Sequence, residues 1–386
     1  MEEATIRLEE AQKSFEETEK ELLEAKRRYR KAKEELEVAE KAVKACEEKI
    51  TEETEVALEL KIPVLSLSKQ YMNNCKVSRM LRTRGIEVEE DTVKINVLIQ
   101  DDIKTRVYIW KDDDLPTISV SLTRFDAVVM DAVYTVLCAG YKVFTVDTIA
   151  KVIAGNGRLR LNDKNAGVLR ESIEKLRHVH IQIDCADEMA ERKDIAVQEK
   201  PRLLESRLLP VIPVEAEYQV NGKYAQAYRI TETSVLYVYA SLLHQIVDVP
   251  AEWMDTSRLF SDTAEAVLIK RYVIRRVAQI INPRNRIKSN KIAFYWDDHG
   301  CMKGLFPELG YKMTGDSRWR SIKKRVRRIV ELTLQSLQGH KVITDYREYR
   351  EDGTNNPASP VQGFMVFYDS PSRSRKGGSY YTSHAT

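Results

Sequence analysis

In the stretch DSRWRSIKKRVRRIVELTLQSLQGHKVITDYREYR, residues 316–350, a helical pattern hands over to a strand pattern. Trp319, Ile322, Val326, Ile329, Val330 and Leu337 recur at helical spacing, which predicts a helix over 316–337 with one face packed on its neighbours. Arg320, Lys323, Lys324, Arg327 and Arg328 fall largely on the remaining surface, with Arg318 and Arg325 near its edges. Only Glu331 interrupts this run of cations. Such a helix fits the major groove of double-stranded DNA, where Arg reads guanine and Lys or Arg holds phosphate. The bland alternative is a solvated basic face, and the lack of paired acids argues against it. Beyond the helix, 342–350 and 363–368 read as a hairpin joined through the turn-rich 353–360.

Working outward, 263–281 predicts another helix, and a shorter one is expected near Ser289. Arg284, Arg286, Lys288 and Lys291 flank that turn and are placed to grip phosphate. Arg347 and Arg350 on the hairpin carry acidic neighbours, Glu348 and Glu351, which weakens a similar role for them.

The same order of signals occurs earlier. A helix over 122–137 precedes a Thr145 cap and a short helix over 146–153. A turn with Gly155 and Gly157, a helix over 163–177 and a strand over 178–184 follow. After a long insertion, 224–230 supplies a second strand beyond Asn221-Gly222. Three helices and a two-stranded wing, twice over, is the order of a winged helix-turn-helix pair. The earlier third helix balances Lys164, Arg170, Lys175 and Arg177 against Asp163, Glu171 and Glu174, which suits protein contacts or auxiliary phosphate contacts.

Residues 1–60 carry a seven-residue repeat. Leu8, Phe15, Leu22, Tyr29, Leu36, Val43 and Ile50 form one seam position, and the other is mostly Ala. A coiled-coil helix of roughly 65 Å is expected, ended by Pro63 and joining two copies in either orientation. The expected fold is thus mainly α with small β wings. Its parts are a coiled coil (1–62), a connector with a hairpin of 92–99 on 104–110 (63–117), winged-helix domains at 118–254 and 255–369, and a disordered tail (370–386).

Composition sharpens this reading. The chain has 386 residues, 62 Lys+Arg and 59 Asp+Glu, a formal charge of +3. Residues 1–60 hold 12 Lys+Arg against 19 Glu, a net of −7, whereas 270–341 hold 18 against 5, a net of +13. A near-neutral total therefore hides a strongly basic segment, the usual footprint of a nucleic-acid-binding domain. No apolar run reaches the ~18 residues of a membrane span, and the N-terminus is not signal-like, so a cytoplasmic protein without membrane contact is expected. Cys46, Cys75, Cys138, Cys185 and Cys301 are scattered singly, which reads as reduced thiols.

The segments LTRFDAVVMDAVYTVL (122–137), LRESIEKLRHVHIQID (169–184), LIKRYVIRRVAQI (268–280) and RSIKKRVRRIVELTLQSLQGHKVITDYREY (320–349) resemble plasmid and conjugative-element replication initiators with tandem winged-helix domains. The resemblance covers about 118–368 and rests on pattern and order. It implies that the first domain serves dimerisation and regulation, and that the second reads repeated origin sequences through 318–328. It also implies host replication proteins as partners, with no cofactor. The N-terminal heptads depart from the compact family plan and leave open which element joins two copies.

Rival readings use other residues. A transcriptional repressor or partition-type protein would use the same basic helix. His178-Val179-His180 resembles the metal motif of rolling-circle nicking enzymes, with Tyr237 or Tyr239 as nucleophile, but the strand does not sit where those enzymes keep it. Asp297-Asp298-His299 reads as a solvated loop. Ala154-Gly155-Asn156-Gly157 is too short to cradle phosphate, and no GxxxxGK[ST] loop is present. The expectation is a non-catalytic protein that holds no metal.

Overall fold

The computed structural model describes residues 61–83, 86–88, 92–100, 103–112, 120–159, 161–196, 200–282, 291–299, 303–311, 317–350 and 358–369. The heptad residues Leu8 to Ile50, the cations Arg284, Arg286 and Lys288, and the tail 370–386 lie outside these.

Short strands β1 (Lys61–Ile62) and β2 (Lys69–Asn73) precede helix α1 (Lys76–Thr83). Then come β3 (Ile86–Val88), β4 (Val93–Gln100), β5 (Ile103–Lys111) and β6 (Val120–Leu122). Helix α2 (Arg124–Cys138) starts where Thr123 and Asp126 form a reciprocal capping box. Strand β7 (Val143–Phe144) leads into α3 (Val146–Ala154), which Thr145 caps in the same way. Gly155 ends α3 at φ 72°, and a Cβ there would lie 2.5 Å from Met254 Cβ. Only glycine suits both the left-handed backbone and this close approach. Helix α4 (Asp163–Arg177) is capped by Asn162, whose side chain accepts from Asn165 N at 2.8 Å. Strand β8 (Val179–Asp184), helix α5 (Ala186–Glu191), β9 (Leu203–Arg207), β10 (Val211–Tyr218), β11 (Tyr224–Ile230), α6 (Val235–Leu242) and β12 (Ile246–Pro250) complete this half.

The second half is α7 (Ala264–Ile281), β13 (Lys291–Tyr295), α8 (Leu305–Glu308), α9 (Ser317–Gly339), β14 (Asp345–Arg350) and β15 (Val361–Phe367). The sheet runs β13-β15-β14, with Phe294 opposite Phe364 and Glu348 opposite Phe364 in register.

The expectation of a mainly α protein with small wings is overturned. Among the described residues 41% are helical and 30% are in strands. The connector hairpin does not stand apart: β4 and β5 join β8 and β9 in one antiparallel sheet, ordered β4-β5-β8-β9. The reason is a shared apolar face, since Val97, Val107, Ile109, Val179, Ile181 and Ile183 are all buried in one core. Strand 178–184 therefore does not pair with 224–230, which instead lies between β10 and β7. The short helix expected near Ser289 also gives way, because Lys291–Tyr295 is a strand whose Phe294 is fully buried against Phe364. Aromatic and β-branched residues with a pairing partner favour the pleat over the helix.

Two large hydrophobic cores form beside a small one of Ile62, Val143, Ala216 and Ala227, and polar joints tie the two large ones together. Asp131 on α2 accepts from Arg271 Nη2 on α7 at 3.0 Å, from Asn73 N at 2.9 Å and from the Tyr237 hydroxyl at 2.8 Å. Lys270, wholly buried, donates to the carbonyls of Met254 at 2.8 Å and Ala154 at 3.3 Å and pairs with Asp262 at 2.7 Å. Arg275 pairs with Glu308 in the interior. Among the described residues, no helix is long and apolar enough to cross a membrane.

Candidate nucleic-acid interface

Trp319, Val326, Val330, Leu334 and Leu337 form the buried stripe of α9, packed with Val273 and Val277 of α7 and Phe364 and Val366 of β15 in one core. This seat fixes the rotation of the helix and leaves Arg318, Arg320, Lys323, Lys324 and Arg328 exposed. None of these five forms an ion pair with a carboxylate of the described residues, although Lys323 is close enough to Asp297 to oppose the burial that raises its carboxyl pKa. Lys323 lies over the Trp319 ring at 5.9 Å from its centroid. Arg320, Lys324 and Arg328 stand at successive i, i+4 positions, so their charges stack on one face. Like charges at this spacing destabilise a helix by ~0.2–0.5 kcal/mol per pair, a strain that a polyanion would relieve.

The other cations of this helix are taken up by the fold. Arg325 forms a two-pronged pair with Glu265 at the start of α7, at 2.6 and 2.8 Å. The Arg325 guanidinium holds the Glu265 carboxyl below its ordinary value, and Glu265 raises that of Arg325. Arg327 bonds Glu331 at 2.8 Å and also pairs with Glu348 of β14. Partial burial opposes its charge, but the two carboxylates outweigh it and its pKa lies above the ordinary guanidinium value. Arg350 pairs with Glu348 as well. Arg347 reaches Asp345 at 3.0 Å and lies largely in solvent. Lys291 is exposed at the start of β13.

A cleft of about 940 Å³ opens between α9 and the hairpin. Lys323, Lys324, Arg327 and Arg328 line one side, Pro360 and Val361 the other, and Trp296 and Phe306 also border it. The structure thus brings Lys323, Lys324, Arg325, Arg327 and Arg328 to one cleft, leaves Arg318 and Arg320 exposed outside it, and neutralises Arg325 and Arg327. Glu331, four residues after Arg327, was the sequence signal for that division; Glu265 and Glu348 had none.

The rival sites resolve differently. His178 and His180 both face Asp112, through Nδ1 at 3.2 Å and Nε2 at 2.5 Å, and Arg207 reaches the same carboxylate at 3.1 Å. Burial raises the Asp112 pKa, but the His180 bond and the Arg207 charge outweigh it and leave the carboxyl below its ordinary value. The His180 ring also stacks on Trp110. Among the described residues, no group of three or more His, Cys, Asp or Glu is arranged to hold a metal ion. Tyr237 and Tyr239 are buried, with hydroxyls on Asp131 and Glu188, and burial pushes both phenols far up. Neither is placed as a nucleophile. Asp298 pairs with Lys303 and accepts from Gly304 N, while His299 stacks on Tyr295.

The sequence matches no protein-family model and no curated protein. Two solved structures of domains 2 and 3 of RctB are similar to it. One is 12% identical at a TM-score of 0.35, covering 73% of this chain and 92% of that one. The other is 14% identical at 0.35, covering 72% and 91%. Likeness at this level leaves fold and function to the chain's own residues.

Proposed function

We propose that this protein is a cytoplasmic, non-catalytic, sequence-specific binder of double-stranded DNA that initiates replication of a plasmid or mobile element. The observation that carries DNA binding is the set of five exposed α9 cations without an ion-pair partner among the described residues, in a molecule whose buried Lys270, Arg271 and Arg275 each pair with a carboxylate. Helix α9 enters the major groove with Arg320, Lys324 and Arg328 toward bases and phosphates. Arg318, Lys323 and Lys291 flank them as phosphate contacts.

The initiator reading rests on the resemblance of the four segments given above. A partly repeated order of elements supports its tandem form: α2, β7, α3, α4 and, after the interposed β8, α5 and β9, the β10–β11 hairpin, then α7, β13, α8, α9 and the β14–β15 hairpin. In both, the short strand pairs with the second strand of the hairpin, β7 with β11 and β13 with β15. The first hairpin lies in a four-stranded sheet with one parallel pair, and the second in a three-stranded antiparallel sheet. Several copies bound to origin repeats distort the DNA and recruit host replication proteins, and copies associate through residues 1–60 or through the first domain.

Selection of bound fragments from the element's own DNA, followed by footprinting, tests the proposal. Protection of direct repeats beside the replication origin is expected. A single palindrome over a promoter would make the protein a repressor, and no salt-sensitive binding would make it a scaffold. Removing residues 1–60 should halve the mass seen by light scattering while leaving affinity per site intact. An unchanged mass would place self-association elsewhere.

A further inference from the structure

We infer that Arg327 is a positioning residue rather than a reader of DNA: with Glu348 and Arg350 it clamps the β14–β15 hairpin to α9 and sets the cleft between them. The inference rests on the DNA-binding reading above. Arg327 divides its guanidinium between two elements, with Nε on Glu331 Oε1 of its own helix at 2.8 Å and Nη2 on Glu348 Oε1 of β14. The second oxygen of Glu348 takes Arg350 Nη2, and Arg350 Nη1 bonds the Ser359 carbonyl. Ser359 leads directly into Pro360 and Val361, which form the far wall of the cleft. One chain of ionic contacts therefore runs from α9 through β14 to the entry of β15. It passes the point where the strand register slips, between Tyr349 and Arg350, and where the ladder alone holds the hairpin least.

The charges in this chain cancel, two guanidinium groups against the carboxylates of Glu331 and Glu348. The clamp thus adds no net attraction for a polyanion. That role falls to Lys323, Lys324 and Arg328 on the same wall. Glu348 itself is a carboxylate beside a cleft proposed for DNA. On charge alone its removal should strengthen binding, whereas a clamp predicts the opposite sign.

The test uses the full chain with E348Q, R327M, K324A and R328A, binding the selected duplex across about 50–200 mM salt. K324A and R328A should each flatten the slope of log affinity against log salt by ~0.9, as lost phosphate contacts do. R327M should lower affinity about tenfold with the slope unchanged. E348Q should also weaken binding, and the double variant should lose no more than the worse single one, because both break one clamp. Tighter binding by E348Q, or a slope flattened by R327M, would overturn the inference. Hydrogen exchange on the free protein reads the clamp without DNA: E348Q should speed amide exchange across Asp345–Arg350 and Val361–Phe367, and unchanged exchange would count against it. If K324A and R328A alter nothing while exchange rises in E348Q, the DNA-binding reading fails and the clamp stands.

Discussion

Helix α4 and helix α9 take the same place in two successive runs of elements, yet their lysines meet different surroundings. Lys175 of α4 reaches the buried Asp126 at 2.6 Å and the Ser121 carbonyl at 2.9 Å, and Arg177 pairs with Glu174 at 3.3 Å. Lys324 of α9 has no carboxylate partner among the described residues and lies exposed on the cleft. A cation that faces an acid-bearing neighbour becomes part of the fold, and one that faces solvent stays available to a ligand. By that measure Arg325 and Arg327 belong with Lys175, although they sit in the basic helix. The same holds for Lys270, Arg271 and Arg275, so the net of +13 across 270–341 overstates the charge offered to DNA.

The contrast can be broken most directly at α9. Replacing Arg320, Lys324 and Arg328 together with Ala should reduce affinity for the selected duplex by more than about a hundredfold, at ~1–3 kcal/mol for each good base contact, with the circular dichroism spectrum unchanged. The matching change in α4, Lys164 and Arg170 to Ala, should leave fluorescence anisotropy titrations within about twofold. Equal losses from the two helices would erase the distinction.

Cations tied into the fold should act on stability instead. D131A strands the Arg271 guanidinium in the interior and should cost about 3 kcal/mol in urea unfolding. A loss under about 1 kcal/mol would mean that the joint between the two cores does not depend on this pair.

Smaller and more pointed is the same substitution at two lysines. K175M leaves Asp126, 3% exposed, without its cation and should destabilise by about 2 kcal/mol. K324M removes the two like-charge pairs that Lys324 makes with Arg320 and Arg328 and should be neutral or stabilising by a few tenths of a kcal/mol. Matching signs would show that both lysines play one role.

The smallest effect concerns pH. Glu265 has its carboxyl held below the ordinary 4.5 by the Arg325 bond, against burial and with help from Tyr311. A folded pKa below the unfolded one gives stability that is full above about pH 4.5 and fades as pH falls through the folded value. The melting temperature of E265Q should therefore lie below that of the parent at neutral pH, and the two should converge on acidification. Parallel curves would detach Arg325 from this link.

Much of the local structure was legible. The helices of 124–138, 146–154, 163–177, 264–281 and 317–339 fall within a few residues of their expected bounds, because apolar spacing and capping residues such as Thr123, Thr145 and Asn162 act over one or two turns. The strand at 291–295 was misread as the region of a short helix, since Phe294 takes its conformation from β15, some seventy residues on. His178-Val179-His180 stood out as a metal motif in sequence, but Asp112 and Arg207 turn it into a hydrogen-bonded cluster.

By itself the sequence determined where five of the helices lie, that the chain's charge is divided, and which helix carries the cations. Those properties depend on composition and on contacts a few residues apart. Tertiary structure decided the rest. It merged the connector hairpin into a four-stranded sheet, buried Tyr237 and Tyr239, and paired Arg325 with Glu265 and Arg327 with Glu348. An ion pair needs its two charges within about 4 Å, a distance that sequence separations of sixty and twenty-one residues do not constrain until the elements pack.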